Sequence, residues 1–112
     1  MAYEIKCRIW IERDGLTVLG QGRVQLLEAI AEQGSLSAGA KSIGMSYKKA
    51  WRLLDEMNKS AEAPLVETAV GGKDGGGAQL TDLGLQMVKA FNSIKTENSA
   101  FLVSKQNELP AQ

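Results

Sequence analysis

Hydrophobic and polar residues alternate strictly over the first part of the chain. From Tyr3 to Glu12 the odd positions are Tyr, Ile or Cys, and the even positions are charged apart from Trp10. A period of two predicts a half-buried strand. The turn residues Arg13-Asp14-Gly15 follow, so Leu16 to Leu19 are expected to return as the second strand of a hairpin. Trp10 leaves two interpretations open: a surface ring packed on aliphatic side chains, or a contact with a second subunit.

The hydrophobic period becomes helical after Gly20 and Gly22. A first helix is expected to run to about Gln33, with Gly34 in the left-handed position that commonly follows a helix. The inward positions of this helix should be Val24, Leu27, Ile30 and Ala31.

A second, shorter helix is predicted to begin at the cap residue Ser35 and to continue through Ile43. Its inward positions should be Leu36, Ala40 and Ile43. Gly39 and Ala40 are small enough for another helix to cross closely. Gly44 and Met45 then make a tight turn, with Met45 expected to fill the core beneath it.

A third helix is predicted from Ser46 to Lys59, and its two faces have opposite character. The apolar side is expected to pack in the core and holds Tyr47, Ala50, Trp51, Leu53, Leu54 and Met57. The polar side holds Lys48, Lys49, Arg52, Asp55, Glu56 and Lys59. Ser46 is a preferred N-cap residue, and the backbone N–H groups at that end of the helix favour a nearby anion.

Two short helices joined by a turn that contains glycine form a helix-turn-helix arrangement, which makes the third helix a candidate DNA-recognition helix. Between Gln33 and Leu54 there is no acidic residue, and the basic residues are Lys41, Lys48, Lys49 and Arg52. Such a patch acts on phosphates within about 10 Å, whatever the net charge of the molecule. Three-helix bundles that bind nothing can show the same spacing, so the motif alone leaves both interpretations open.

A glycine-rich hairpin is predicted directly after this motif. Ala63-Pro64 ends the helix, Leu65 to Val70 are expected to form a strand, and Ala78 to Leu80 the returning strand. The connecting GGKDGGG segment lacks the Gly-Lys-Ser/Thr ending of a nucleotide-binding loop and leads into a strand. A hairpin in this place is a wing, in which glycines let the backbone approach a sugar-phosphate surface while Lys73 reaches a phosphate or the minor groove. A mobile hairpin without a ligand is the alternative.

The last helix is predicted to begin at the cap residue Thr81, with Asp82 in its first turn, and to reach about Lys105, a length of roughly 35 Å. Its apolar stripe holds Leu83, Met87, Ala90, Phe91, Ile94, Phe101 and Leu102. The distal half, 91–102, is a candidate subunit interface, which we favour over a stripe folded back onto the N-terminal hairpin. Residues 106–112 are expected to fray.

Composition limits the chemistry of the protein. Cys7 is the single cysteine and there is no histidine, which argues against an intrachain disulfide, the usual zinc sites and every His-dependent catalytic arrangement. We therefore expect no enzyme activity, no catalytic residue, no metal site and no cofactor. The 13 basic and 13 acidic residues give a formal net charge of zero, so a nucleic-acid partner is indicated by the local patch rather than by bulk charge.

The length of 112 residues fits one domain, with no room for a second, ligand-binding one. The predicted parts are a hairpin at 3–19, a three-helix core at 21–60, a wing at 65–80 and a dimerisation helix at 81–105. No apolar run is long enough to cross a bilayer. Residues 1–12 carry charges throughout and lack the unbroken apolar segment of a signal peptide. We therefore expect a cytoplasmic protein without a membrane partner.

Two stretches carry a family resemblance. GSLSAGAKSIGMSYKKAWRLLDEMN (34–58), followed by PLVETAVGGKDGGGAQLTDLG (64–84), resembles the N-terminal DNA-binding domain of the molybdate-responsive ModE-type transcriptional regulators, which are winged helix-turn-helix units related to the LysR-type domain. The likeness is specific at SYKxAW…EMN and at GGKxGGGAxLT. It implies an α+β, mostly α, fold and a homodimer that regulates transcription by binding a palindromic operator in double-stranded DNA. Members of that family that sense an oxyanion carry molybdate-binding domains after this part, so molybdate sensing is not carried over.

The resemblance and the helical wheel together indicate the DNA-binding residues. Lys48 and Arg52 should face base edges in the major groove, with Arg52 able to make a bidentate contact to guanine. Tyr47 and Trp51 are expected in the core or at its margin, although an aromatic ring at the edge of the groove could contact a thymine methyl group. Contacts to phosphate are expected from Ser35, Ser37, Lys41, Ser46, Lys49 and, on the wing, Lys73.

Two other classes of function stay open. Winged helices also serve as protein-interaction modules without specific DNA binding, and the zero net charge gives that alternative mild support. A sensor of a small molecule or oxyanion would need a polar pocket, for example at a dimer interface.

Overall fold

The computed structural model describes residues 3–69 and 76–110, which form four α-helices and two antiparallel hairpins. In chain order these are β1 (Ile11–Arg13), β2 (Leu16–Leu19), α1 (Gln21–Gln33), α2 (Leu36–Ser42), α3 (Tyr47–Ser60), β3 (Val66–Thr68), β4 (Ala78–Leu80) and α4 (Asp82–Lys105), followed by a 3-10 turn (Gln106–Glu108). The protein is an α+β winged helix, mostly α-helical, with a long C-terminal helix, as the sequence predicted. None of the described helices has both the length and the apolar character needed to cross a bilayer.

The N-terminal hairpin is shorter than the alternating pattern predicted. Its turn at Asp14 and Gly15 has positive φ at both residues, 53° and 79°, which is the geometry of a two-residue hairpin loop. Pairing ends at Ile11, opposite Leu19, so the prediction of a strand beginning at Tyr3 was wrong. An alternating pattern forms a strand only where a second strand is available for pairing. β2 is only four residues long, so it cannot pair with residues 3–10.

Residues 3–10 pack instead along the distal part of α4. The backbone N–H of Ile5 donates to Oε1 of Gln106 at 3.1 Å, Nε2 of the same side chain donates to the carbonyl of Tyr3, and Nδ2 of Asn98 donates to Sγ of Cys7 at 3.5 Å. The N-terminal segment therefore covers the side of α4 that carries Asn98, while Ile94 and Phe101 of the apolar stripe stay exposed. Residues 106–108 form a 3-10 turn, and Gln106 makes these contacts, so the fraying predicted for 106–112 does not begin at Gln106.

α1 lies at the centre of the fold and contacts α2, α3, α4, β2 and β4. It ends at Gly34, whose φ of 80° is left-handed and whose N–H donates to the Ile30 carbonyl at 2.8 Å. Because neighbours cover more than one side of α1, its buried surface is wider than the predicted stripe. Leu26 and Ala29 are buried, whereas Ala31, predicted to face inward, is exposed.

α2 crosses α1 closely, as its small residues predicted. A Cβ atom on Gly39 would lie 3.0 Å from the backbone nitrogen of Ile30. Gly44 turns the chain with a φ of 68°, and the Met45 N–H returns to the Ala40 carbonyl at 2.9 Å. Ile43 lies in this turn and is exposed, so its predicted inward position was wrong.

α4 begins at Thr81, whose Oγ1 accepts the Gly84 N–H at 3.0 Å and donates to the Pro64 carbonyl at 2.8 Å. Its 24 residues span about 36 Å. In the predicted apolar stripe only Phe91 is fully buried, while Ile94 and Phe101 are 52% and 56% exposed. The molecule is elongated as a result, with principal extents of 61 × 29 × 20 Å.

Candidate nucleic-acid interface

One face of α3 is fixed by the core, and this determines which residues point outward. Ser46 caps the helix by accepting the Lys49 N–H on its Oγ at 3.1 Å. The buried residues of the helix are Ala50, Leu53, Leu54, Met57 and Ser60. The opposite side therefore faces solvent, and it carries the cationic residues that the sequence predicted there.

The N-terminal half of α3 presents three exposed cationic side chains, Lys48, Lys49 and Arg52. Lys48 and Arg52 are four residues apart and lie on the same side of the helix. Among the residues that the structure describes, no ion pair involves Lys48 or Lys49. Their charges are therefore open to an external anion.

Arg52 is held by an acidic neighbour. Its Nη1 lies 3.2 Å from a carboxylate oxygen of Glu56, and Glu56 also bonds Nη2 of Arg23 at 3.2 Å. Arg23 in turn donates to the Thr17 carbonyl at 2.9 Å, so the chain of contacts joins α3 to α1 and β2. Because Arg52 is 59% exposed, its pair with Glu56 is weak and can be exchanged for another anion.

The C-terminal half of α3 is electrostatically different. Lys59 pairs with Asp55 at 2.8 Å, and Glu56 is shared between two arginines. Positive charge without an acidic partner is therefore concentrated in the first two turns, next to the capped end of the helix.

Tyr47 and Trp51 do not pack in the core. They are 57% and 52% exposed, so the prediction of a core position was wrong, and the predicted alternative at the margin of the core is the one that fits. A helical wheel places both beside the apolar residues, but the core of this fold covers only the side that holds Ala50 and Leu53. Tyr47 and Trp51 lie on an edge of α3 that these contacts leave in solvent.

The second hairpin follows α3 as predicted for a wing. β3 and β4 pair antiparallel with Val66 opposite Leu80 and Thr68 opposite Ala78. Beyond these strands the Ala69 N–H donates to the Gly77 carbonyl at 2.8 Å. The predicted GGKDGGG loop spans 71–77, and of it residues 71–75, including Lys73, lie outside the described residues, as does Val70, the predicted end of the first strand.

Asn58 joins α3 to the wing. Its Oδ1 accepts the backbone N–H groups of Leu65 and Val66 at 2.8 and 3.3 Å, and its Nδ2 donates to the Val66 carbonyl at 3.2 Å. The sequence prediction missed this residue and the Arg23–Glu56 pair. Asn58 could have been found, because it is an amide side chain near the end of a helix and a proline follows soon after. The pair of Glu56 could not, because its partner Arg23 is distant in sequence.

The remaining predicted residues occupy exposed or capping positions. Ser35 caps α2 by accepting the Ala38 N–H at 3.0 Å. Its hydroxyl, like that of Ser46, still has its proton to donate to an anion. Ser37 and Lys41 are exposed and lie one turn apart on α2.

Comparison with known proteins agrees with this geometry. Residues 22–85, from α1 to the first turn of α4, match the family model described as bacterial regulatory helix-turn-helix protein, lysR family. The chain is also similar to the molybdenum transport protein ModE of Azotobacter vinelandii, with 41% identity over 95 residues, which cover 85% of this chain and 35% of the relative.

Two further relatives are similar at the same level. The transcriptional regulator ModE of Yersinia pestis is 44% identical over 89 residues, covering 79% of this chain and 34% of the relative. The DNA-binding transcriptional dual regulator ModE of Escherichia coli K12 is 44% identical over 90 residues, with the same shares of the two chains. The chain thus spans about a third of the length of these relatives, and the winged helix-turn-helix resemblance is confirmed. By its fold and by the family model that covers its core, this chain belongs to the lysR family of bacterial regulatory helix-turn-helix proteins.

Proposed function

We propose that the protein is a sequence-specific DNA-binding transcriptional regulator that inserts α3 into the major groove. The observation that carries the proposal is the first half of α3, where Lys48, Lys49 and Arg52 are exposed on a helix anchored in the core by its opposite face. A helix of this kind fits the major groove, and its cations meet the phosphates on either side.

The proposed contacts follow from position on the helix. Lys48 and Arg52 point away from the core and are assigned to base edges, with the Arg52 guanidinium leaving Glu56 for guanine O6 and N7. Phosphate contacts are assigned to Ser35, Ser37, Lys41, Ser46 and Lys49, and Tyr47 is assigned to the groove edge. Lys73 is assigned to the DNA backbone beside the wing, because the hydrogen bonds of Asn58 hold the start of the wing next to α3.

We further propose that two copies form a homodimer through α4 and bind a palindromic operator. The radius of gyration is 17.0 Å, whereas a compact chain of this length has about 13 Å. The exposed large hydrophobic residues in the distal part of α4 are Ile94, Phe101 and Val103. A two-fold dimer is the arrangement that binds the two half-sites of a palindromic operator.

The names of the relatives support a link to molybdenum. One relative is called a molybdenum transport protein and another a molybdenum-pterin-binding protein. We propose that this chain regulates genes of molybdenum metabolism. Mapping of its sites in the genome should find them upstream of such genes.

Selection of binding sites from a random duplex pool with the purified chain tests the main proposal. A palindromic sequence should be enriched, and log K should fall linearly with log salt, with a slope of about −0.9 for each phosphate contacted. The double variant Lys41→Ala/Lys49→Ala, which removes two lysines assigned to phosphate, should reduce that slope by about 2. Its control is Lys89→Ala/Lys95→Ala on α4, which should leave the slope unchanged. If no duplex sequence is enriched, sequence-specific DNA binding is rejected, and a protein-interaction module becomes the better interpretation.

A further inference from the structure

The two aromatic residues of α3 form one exposed edge, and their exposure is unexplained by the fold. Tyr47 and Trp51 are four residues apart, so they are neighbours on the helix surface. Each is more than half exposed, although rings of this size contribute most when they are buried. No other described element covers them.

This aromatic edge, Tyr47 and Trp51, is on the wing side of α3. Trp51 and Asn58 are seven residues, or about two turns, apart, and so lie on the same side of the helix. Asn58 bonds the backbone of Leu65 and Val66 where β3 begins. A partner that contacts both the outer face of α3 and the wing would therefore also contact Tyr47 and Trp51, which lie between the two.

The positive charges next to Tyr47 and Trp51 favour a polyanion as the partner of this aromatic edge. Lys48 follows Tyr47 and lies one turn before Trp51 and Arg52. An apolar protein surface would leave these cations desolvated without a counter-charge, whereas duplex DNA supplies phosphates for them. In the major groove, the apolar group that DNA offers to an aromatic ring is the C5-methyl group of thymine.

We infer that Tyr47 and Trp51 read thymine methyl groups in the half-site, at base pairs next to those contacted by Lys48 and Arg52. This inference rests on the proposed function, because it assumes that α3 lies in the major groove. It adds that sequence preference comes partly from apolar contact with thymine and not only from hydrogen bonds of the cationic side chains.

Replacement of thymine by deoxyuridine tests the inference, because it removes the methyl group and keeps the base pairing. The probe is the duplex enriched by site selection with the purified chain, synthesised with thymine or with deoxyuridine throughout one half-site. The unmodified protein should bind the deoxyuridine duplex about three- to fivefold more weakly for each methyl group contacted. The variant Tyr47→Ala/Trp51→Ala should bind both duplexes with nearly equal affinity.

One control and one independent measurement make the test specific. Trp10→Ala removes a tryptophan that is 54% exposed but belongs to the N-terminal segment, and it should retain the full thymine preference. Trp10→Phe leaves Trp51 as the one remaining tryptophan, so its emission should change on binding the thymine duplex. This second measurement decides the question if the alanine variant does not fold, because an unchanged emission would overturn the inference.

The outcomes separate the inference from the proposed function. Equal binding of both duplexes by the unmodified protein would overturn the inference while leaving a DNA-binding regulator. A preference that persists in the folded Tyr47→Ala/Trp51→Ala variant would also overturn it, because another group would then read the methyl. Failure to enrich any duplex would reject the proposed function and the inference with it.

Discussion

α3 and α4 both expose large hydrophobic side chains, but they are held by the fold in different ways. α3 buries a continuous face of five residues along its length, so the direction of each outward side chain is set by the core. α4 is ten residues longer, yet only Gly84 and Phe91 are buried in it. The exposed side chains of α3 therefore belong to a surface whose orientation the core fixes, whereas those of α4 belong to a helix that extends beyond the core.

Phe91 is the one large side chain of α4 that is fully buried. Phe91→Ala removes a ring that is 1% exposed and should lower the free energy of unfolding by about 3–5 kcal/mol. Urea denaturation followed by circular dichroism would measure it. Phe101→Ala, on the exposed part of the same helix, is the matched control and should cost about 0.5 kcal/mol or less in the monomer. Equal effects of the two substitutions would contradict the anchoring of α4 at Phe91.

The second prediction concerns the exposed part of α4. Ile94→Ser/Phe101→Ser should weaken the proposed homodimer by about 2–4 kcal/mol, since large apolar residues at the centre of an interface dominate association. Sedimentation equilibrium would give the dissociation constant of each form. Leu16→Ser, which removes an exposed leucine from the N-terminal hairpin, is the control. An unchanged dissociation constant in the double variant would place any dimer elsewhere.

The link between α3 and the wing can be broken at Asn58. Asn58→Ala leaves the backbone N–H groups of Leu65 and Val66 without their acceptor, and should lower the free energy of unfolding by about 1–3 kcal/mol. Thermal and urea unfolding would measure the loss. Asn92→Ala, which removes an exposed contact to Glu28, should change stability by less than about 0.5 kcal/mol. A stable Asn58→Ala protein would mean that the strands alone hold the wing in place.

The last prediction concerns the outward side of α3. Arg52→Ala should weaken binding to the selected duplex by about 1–3 kcal/mol and relax the preference at one base pair, because a bidentate contact to guanine is lost. Fluorescence anisotropy with the selected duplex and with single-base variants would measure both changes. Lys89→Ala on α4 provides the comparison and should have no effect on discrimination. If Arg52→Ala discriminates as well as the unmodified protein, the base contact belongs to another residue.

The sequence predicted the parts of the fold that depend on neighbouring residues. Ser35, Ser46 and Thr81 cap their helices, and Gly34 ends α1 with a left-handed φ. In each case the capping side chain or the glycine interacts with backbone groups only a few residues away. A short stretch of sequence is therefore enough to predict where the helix begins or ends. The outward position of Lys48 was predictable because it lies opposite an apolar stripe.

Features that depend on distant partners could not be predicted in the same way. Residues 3–10 alternate like a strand, but β2 offers too few residues to pair with them. A helical wheel marks Tyr47 and Trp51 as borderline, and only the arrangement of the other elements decides that their edge stays exposed. The partner of Glu56 in α1, Arg23, is 33 residues away, and no local pattern indicates such a pair.

Gln106 has a consequence for motion in this molecule. Its side chain bonds the carbonyl of Tyr3 and the N–H of Ile5, so the residues before β1 are fastened to the turn after α4. These two contacts link the distal end of α4 to the segment that leads into the first hairpin. Movement of this apolar end relative to α3 would have to break these contacts or shift the first hairpin, whose Thr17 carbonyl is joined through Arg23 to Glu56 of α3.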